Sequence, residues 1–185
     1  MILVDIENLK YPIGKFSMPK EFSAALTGQW IRSIEELPGK LRSAVNNLND
    51  QQLDTPYRDG GWTVRQVIHH LPDSHMNAYI RFKLALTEET PVIKPYFEDR
   101  WAQLPDGKIA PVAISLSLLE ALHQRWVLLL KSMSEDDLKK KYHHPESHKD
   151  WELRNVLALY AWHGNHHLAH ITSLLVREEW NTGRK

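Results

Sequence analysis

Apolar residues recur every three or four positions along four long stretches of this 185-residue sequence. This spacing places them on one face of a helix, so each stretch predicts an amphipathic helix. The predicted helices cover about 22–48, 63–87, 113–133 and 151–179. Thr63 and Gln66 have capping-box spacing at the start of the second helix, and Pro38 predicts a kink or a division of the first. Four long helices of this kind predict an all-α four-helix bundle with long irregular connections.

The segments between these helices contain turn-forming residues. We expect a single domain over residues 1–185, in which residues 1–20 form an extended N-terminal arm. Residues 89–111 carry four prolines and predict a long irregular connection, of a kind that often covers a functional site. The stretch 139–150, "KKKYHHPESHKD", predicts a loop with Asp150 as a possible N-cap of the fourth helix. No alternating pattern predicts a sheet.

Charge and composition exclude several classes of partner. The 23 basic residues balance the 23 acidic ones, which argues against a nucleic acid as the main partner. No stretch approaches the roughly 18 apolar residues of a membrane span, and the N-terminal residues show no signal-peptide pattern. We therefore expect a cytoplasmic protein with no membrane partner. The chain has no cysteine, so a zinc-like site must use histidine and carboxylate ligands, and any reacting thiol must come from outside.

The stretch 160–171, "YAWHGNHHLAHI", places four histidines on the fourth predicted helix. His163 and His167 are separated by four residues and both fall within the apolar stripe, so they can bind one metal ion together. His170 lies at the margin of the stripe, and His166 lies beyond it. The alternative is that each buried imidazole is a hydrogen-bonded core residue, because a buried polar group needs a partner.

The second helix offers three more histidines. His75 falls within the apolar stripe, His70 flanks it and His69 points away. Pro72 bends the helix between them, so the helical angles are unreliable across it. Periodicity alone therefore leaves the choice between His70 and His75 open.

Two long segments, 53–91 and 159–172, closely resemble the YfiT-like group of the DinB superfamily. The motifs "YPIGKF" near the start and "LHQRW" on the third helix extend the resemblance over nearly the whole chain. It implies a four-helix bundle, commonly homodimeric, that holds one divalent ion, zinc or nickel, on three histidines. The family pattern places these ligands at His70, His163 and His167. Pro72 and Gly164 depart from the pattern without replacing a ligand.

The resemblance implies a metal-dependent hydrolase acting on a small molecule. One alternative is a transferase that activates a low-molecular-weight thiol such as bacillithiol, and another is a non-catalytic metal-binding stress protein. Four residues are candidates for supporting the ligands or facing the substrate, namely His170, His75, Tyr160 and Asp73, although Asp73 also fits a solvated helix surface. The role of His166 stays open.

Other polar and aromatic residues carry weaker expectations. Arg81 and Arg125 are candidates for contacting an anionic substrate, although arginines on long helices are usually solvent-exposed. Three histidines of the polar loop have no expected metal role, namely His143, His144 and His148. Tryptophans such as Trp62 are expected in the core or on a dimer surface.

Overall fold

The computed structural model describes residues 6–180 of the chain. In chain order the elements are α1 (Ile6–Lys10), α2 (Ala24–Val45), α3 (Asp50–Leu53), α4 (Val64–Thr87), α5 (Glu98–Trp101), α6 (Pro105–Ile109), α7 (Val112–Ser132), α8 (Glu135–Lys139), β1 (Lys141–His144), β2 (Lys149–Glu152) and α9 (Leu153–Arg177).

The four long helices α2, α4, α7 and α9 form the predicted four-helix bundle. Helix α2 packs against α9 and α7, and α4 packs against the same two helices. Helices α2 and α4 therefore lie at opposite corners of the bundle, although they are the first two long helices of the chain. The Thr63–Gln66 capping box is present at the start of α4, as predicted.

The bundle core consists of two apolar clusters. One surrounds Phe82, Trp126 and Leu157, and the other surrounds Leu41 and Leu71. The histidines of α4 and α9 fall largely where the two clusters meet. The ring nitrogens that are buried in this layer need hydrogen-bond partners or another compensating group.

A small β-hairpin leads into α9, where the sequence predicted a loop and no sheet. Strands β1 and β2 pair antiparallel, with Tyr142 opposite Trp151. Four-residue strands are too short to show a clear alternation of apolar and polar residues, which is why the pattern was missed. The prediction for Asp150 was wrong, because it lies within β2, and α9 begins after Glu152 without a side-chain cap.

Three further expectations need correction. Pro38 does not divide the first helix, since α2 continues through it from Ala24 to Val45. The predicted extended arm contains the short helix α1, while residues 1–5 of that arm lie outside the described residues. The connection 89–111 is long, as predicted, but it includes the short helices α5 and α6.

Helix α7 is the one helix among residues 6–180 that could cross a membrane by length and composition, with a mean hydropathy of 1.2. One such helix is weak evidence for a membrane span, and 28% of its apolar window is buried, less than in a typical core helix. Here α7 contributes Leu119 and Trp126 to the two apolar clusters and buries His123 between them.

Gly164 allows α9 to approach α2 closely. A Cβ atom at this position would collide with Cδ2 of Leu37, a side chain that is 1% exposed and has little room to move. We predict that Gly164→Ala lowers the free energy of unfolding by about 1–2 kcal/mol, because overpacking outweighs the higher helix propensity of alanine. Urea denaturation of the metal-free protein measures this change.

Gly39 supplies the matched control, because it lies within α2 and a Cβ atom added there would have no other atom within 4 Å. Gly39→Ala should raise the free energy of unfolding by about 0.5–1 kcal/mol. Equal stabilisation by both substitutions would contradict the close packing of α9 on α2.

Candidate metal centre

Three histidines from two helices converge inside the bundle. His70 comes from α4, and His163 and His167 come from α9. One ring nitrogen of each lies within 4.8 Å of the others, and Nε2 of His70 is 3.4 Å from Nε2 of His163. Nitrogens that bind one zinc ion tetrahedrally at 2.0–2.1 Å lie about 3.3–3.4 Å apart. The distance between the first two rings therefore fits a shared ion.

Burial keeps these imidazoles neutral. It lowers the pKa of His70 to about 4. Burial, followed by repulsion from neighbouring histidines, lowers the pKa values of His163 and His167 well below their usual value. A neutral imidazole has one nitrogen lone pair available for a metal ion. All three ligand candidates therefore carry a free lone pair at neutral pH.

The ring of His167 also has an unsatisfied atom. Its Nδ1 is buried and has no hydrogen-bond partner among residues 6–180. A buried polar atom in this state costs free energy unless another group compensates for it. The orphaned nitrogen and the converging lone pairs fit a divalent cation, which neutral nitrogen ligands bind readily.

The three histidines lie at the floor of a cavity of about 830 Å³. Its walls include Tyr160 from α9 and Tyr96 from the 89–111 connection. Among the described residues, no fourth histidine, aspartate or glutamate joins the group of three. An ion held there would have protein ligands on one side and the cavity on the other, which is the arrangement of an open site.

Two of the candidate supporting residues line this cavity. The Tyr160 ring centroid is 5.5 Å from that of His163, and burial raises the pKa of the Tyr160 hydroxyl, which stays protonated and able to donate a hydrogen bond. His170 donates from Nε2 to the carbonyl oxygen of Lys10 at 2.9 Å and stacks on Tyr57. His170 therefore holds the end of α1 against α9.

His75 and Asp73 lie elsewhere than at the cavity surface. His75 is 0% exposed and packs behind His163, so it does not face a substrate. Asp73 is half-buried, not solvated, and no hydrogen bond joins it to His70 in the described part of the chain. Burial, together with repulsion from Asp106, raises the pKa of Asp73 to about 6.

The remaining histidines separate into different surroundings. His166 is 7% exposed, stacks on Trp162 and lines the cavity, and its Nδ1 has no hydrogen-bond partner among residues 6–180. His69 is buried on another side of α4, where Nε2 donates to the Ala110 carbonyl and Nδ1 accepts from Ser115. Two histidines assigned to the polar loop lie on strand β1, and one of them, His144, lines the cavity.

Sequence reasoning missed Trp62 as a neighbour of a ligand and His123 as a neighbour of His75. Trp62, expected in the core or at a dimer surface, lines the cavity with its ring centroid 4.7 Å from that of His70. His123 is 1% exposed, and its Nε2 lies 2.9 Å from Nδ1 of His75. A signal for His123 existed, since it falls between Leu119 and Trp126 on the apolar stripe of α7.

The chain belongs to the DinB superfamily, which it matches over residues 33–171. It is 55% identical over 175 residues to a Bacillus cereus protein (strain 03BB102) named "Putative metal-dependent hydrolase", covering 95% of this chain and all of that protein. A Bacillus anthracis protein (strain A0248) of the same name is 54% identical over the same length.

A solved structure, that of YfiT from Bacillus subtilis, superimposes with a TM-score of 0.92 at 52% identity. The match covers 94% of this chain and 99% of YfiT. YfiT is described as a probable metal-dependent hydrolase with an unusual four-helix bundle topology.

Proposed function

We propose that the protein is a metal-dependent hydrolase that holds one zinc or nickel ion on His70, His163 and His167. The observation that carries this proposal is the convergence of three neutral imidazoles at the floor of the cavity without a fourth protein ligand among the described residues. Such an ion lowers the pKa of water at its open position to about 7 and polarises a substrate carbonyl. The names of the relatives support the same reaction class.

The chain's own residues would bind and orient the substrate. The protonated Tyr160 hydroxyl can donate a hydrogen bond to an oxygen that gains negative charge during hydrolysis. Trp62 and Tyr96 provide flat apolar walls against which a substrate can pack. Since the 89–111 connection supplies Tyr96, this connection would both cover the site and contact the substrate.

Removing a ligand should remove the ion. We predict about one zinc or nickel ion per chain in the wild type, and much less than one after His163→Ala or His167→Ala, because each change removes one of three ligands. Elemental analysis after metal loading and dialysis measures the ratio. Hydrolysis of a panel of esters and amides should disappear together with the ion.

His166→Ala is the matched control, because His166 precedes His167 but lies outside the group of three. It should retain the ion. Stoichiometric metal in both ligand variants would contradict the assignment of His163 and His167.

The alternative function is transfer to a low-molecular-weight thiol such as bacillithiol. Its basis is the open metal position, which could take an external thiolate in place of water, whereas the absence of cysteine is compatible with both reactions. Incubation with a thiol and an electrophile separates the two reactions. Metal-dependent conjugate formation would favour the transferase, and metal-dependent hydrolysis without added thiol would favour the hydrolase. A non-catalytic metal-binding stress protein would show neither reaction, and it would unfold when the ion is removed.

The surroundings of Arg81 favour a substrate that carries an anionic group. It is 9% exposed, lines the cavity and forms no ion pair with any residue of the described chain. The other buried arginine, Arg65, is paired with Asp50 and Asp54 at 2.7 and 2.6 Å. A buried cation without an anion is costly. Arg81 is in this situation, because it lacks the carboxylate partners that Arg65 has. A carboxylate or phosphate on the substrate would provide such a partner.

The position of Arg81 also indicates the length of this substrate. Eleven residues separate His70 and Arg81, about three turns of α4, so both lie on nearly the same face and about 16 Å apart along the helix. A molecule that reaches both the ion and the guanidinium must therefore be elongated. Of the two arginines that the sequence offered as candidates for an anionic substrate, Arg81 is buried beside the cavity and Arg125 is solvent-exposed.

Mercaptoalkanoates test the role of Arg81, because their thiolate can bind the metal ion while their carboxylate pairs with the guanidinium. For the cobalt-substituted protein we predict that an acid of suitable length binds about tenfold more tightly than the mercaptoalcohol of equal length. Thiolate absorption bands report the binding. Arg81→Gln should abolish the preference, and Arg125→Gln should retain it.

Equal binding of acid and alcohol at every chain length would contradict the role of Arg81. If neither compound produced thiolate bands, the open metal position itself would be contradicted. Thermal unfolding adds a control, because it shows whether Arg81→Gln remains folded after losing the side-chain contact between Arg81 and Tyr142.

Two further expectations belong to the proposal. We also propose a cytoplasmic location, as expected from the sequence, and a homodimer, as the family resemblance implies. Sedimentation equilibrium would give the mass of the particle in solution and so test the second expectation.

A further inference from the structure

A row of hydrogen-bonded imidazoles leads from the metal centre to the opposite side of the bundle. Nδ1 of His163 lies 3.2 Å from Nε2 of His75, and Nδ1 of His75 lies 2.9 Å from Nε2 of His123. Nδ1 of His123 lies 2.6 Å from the carbonyl oxygen of Ile34. The row therefore passes through all four long helices, from α9 through α4 and α7 to α2.

The carbonyl at the far end fixes the direction of these hydrogen bonds. A carbonyl oxygen only accepts, so Nδ1 of His123 must carry the proton. This carbonyl is available because of Pro38, which lies four residues after Ile34 in α2 and has no N–H to bond back to it. The proline thus leaves a free acceptor in the interior of a continuous helix.

His123 and His75, the two middle histidines of the row, are neutral. Each therefore donates one hydrogen bond and accepts one, so the direction of donation is the same along the whole row. Burial lowers the pKa of His123 to about 4, although its bond to Ile34 opposes the shift. His75 is 0% exposed and both of its ring nitrogens are hydrogen-bonded to other imidazoles, so a positive charge on this ring would be buried without an anion beside it. A neutral ring protonated at Nδ1 accepts at Nε2. His123 therefore accepts from His75, which in turn accepts from Nδ1 of His163.

We propose that the Ile34 carbonyl, acting through His123 and His75, holds His163 in the tautomer with its proton on Nδ1. Nε2 of His163 then keeps its lone pair, and this is the atom that faces Nε2 of His70. His123 and His75 are positioning residues in this arrangement, since they act on the ion only through His163. A hydrogen bond from the distal nitrogen of a ligand histidine both orients the ring and raises its basicity.

The role of this tautomer in metal binding rests on the proposed function, but the tautomer itself can be tested without it. Free imidazole side chains favour the proton on Nε2, so without the row His163 would carry its proton on the nitrogen that must bind the ion. The tautomer is a property of the metal-free protein as well. It can therefore be measured whether or not the protein binds a metal.

Ring-labelled ¹⁵N NMR reads the tautomers directly. In the full-length metal-free protein, two-bond ¹H–¹⁵N correlations should show His163, His75 and His123 all protonated at Nδ1. His123→Leu fills the space but interrupts the row, and should shift His163 toward the Nε2 proton. Zinc affinity, measured by competition with a chromophoric chelator, should weaken about 10–100-fold.

His123→Gln is the conservative variant, because an amide can donate to Ile34 at one end and accept from His75 at the other. It should restore both the tautomer of His163 and most of the zinc affinity. His69→Gln is the control for loss of a buried histidine, since the nitrogens of His69 bond elsewhere. It should leave both readouts unchanged.

An Nε2 proton on His163 in the metal-free wild type would overturn the inference, even if the leucine variant did not fold. Unchanged tautomer and affinity in a folded His123→Leu variant would overturn it equally. The expected tautomers in a protein that binds no zinc would support the row and contradict the proposed function alone.

Discussion

The need to satisfy neutral imidazoles inside an apolar bundle governs this structure. An unpartnered nitrogen in such a place costs free energy, and protonation would add the larger cost of a buried charge. The buried ring of His69 meets this need with a hydroxyl and a backbone carbonyl, whereas His170 bonds to a backbone carbonyl through Nε2 and leaves Nδ1 without a partner among residues 6–180. His75 and His123 form a hydrogen bond with each other. His70, His163 and His167 converge instead, and a shared cation is the partner that suits all three.

The fold provides this arrangement through features that weaken an isolated helix. Pro38 removes a hydrogen bond from α2, and the freed carbonyl orders three histidines in other helices. Gly164 has low helix propensity, yet it allows α9 to lie close enough to α2 for its histidines to reach the interior. The two apolar clusters on either side of the histidines supply the burial that keeps the imidazoles neutral. Local helix stability is thus exchanged for the geometry of the site.

The sequence predicted the bundle well, because apolar periodicity is a local signal and the four helices are long. The i, i+4 spacing on α9 likewise placed His163 and His167 on one face. Periodicity could not choose between His70 and His75, since both are buried in the structure and they differ in what each ring contacts. The family resemblance made that choice. The β-hairpin was missed because its strands are short.

The partners of the ligands lay beyond sequence reasoning for a different reason. The hydrogen bond from His123 to Ile34 joins residues that are 89 positions apart, and no local pattern reports such a contact. The burial of Arg81 and the position of Trp62 also depend on how the helices and connections pack. Side chains whose role depends on another helix become visible only when the helices are assembled.

X-ray absorption spectroscopy of the zinc-loaded protein tests the central claim most directly. The account predicts three imidazole nitrogens at about 2.0–2.1 Å and one light atom that is replaced by sulfur at about 2.3 Å when a small thiol is added. A coordination shell closed by a fourth protein ligand, or one with fewer than three imidazoles, would contradict it.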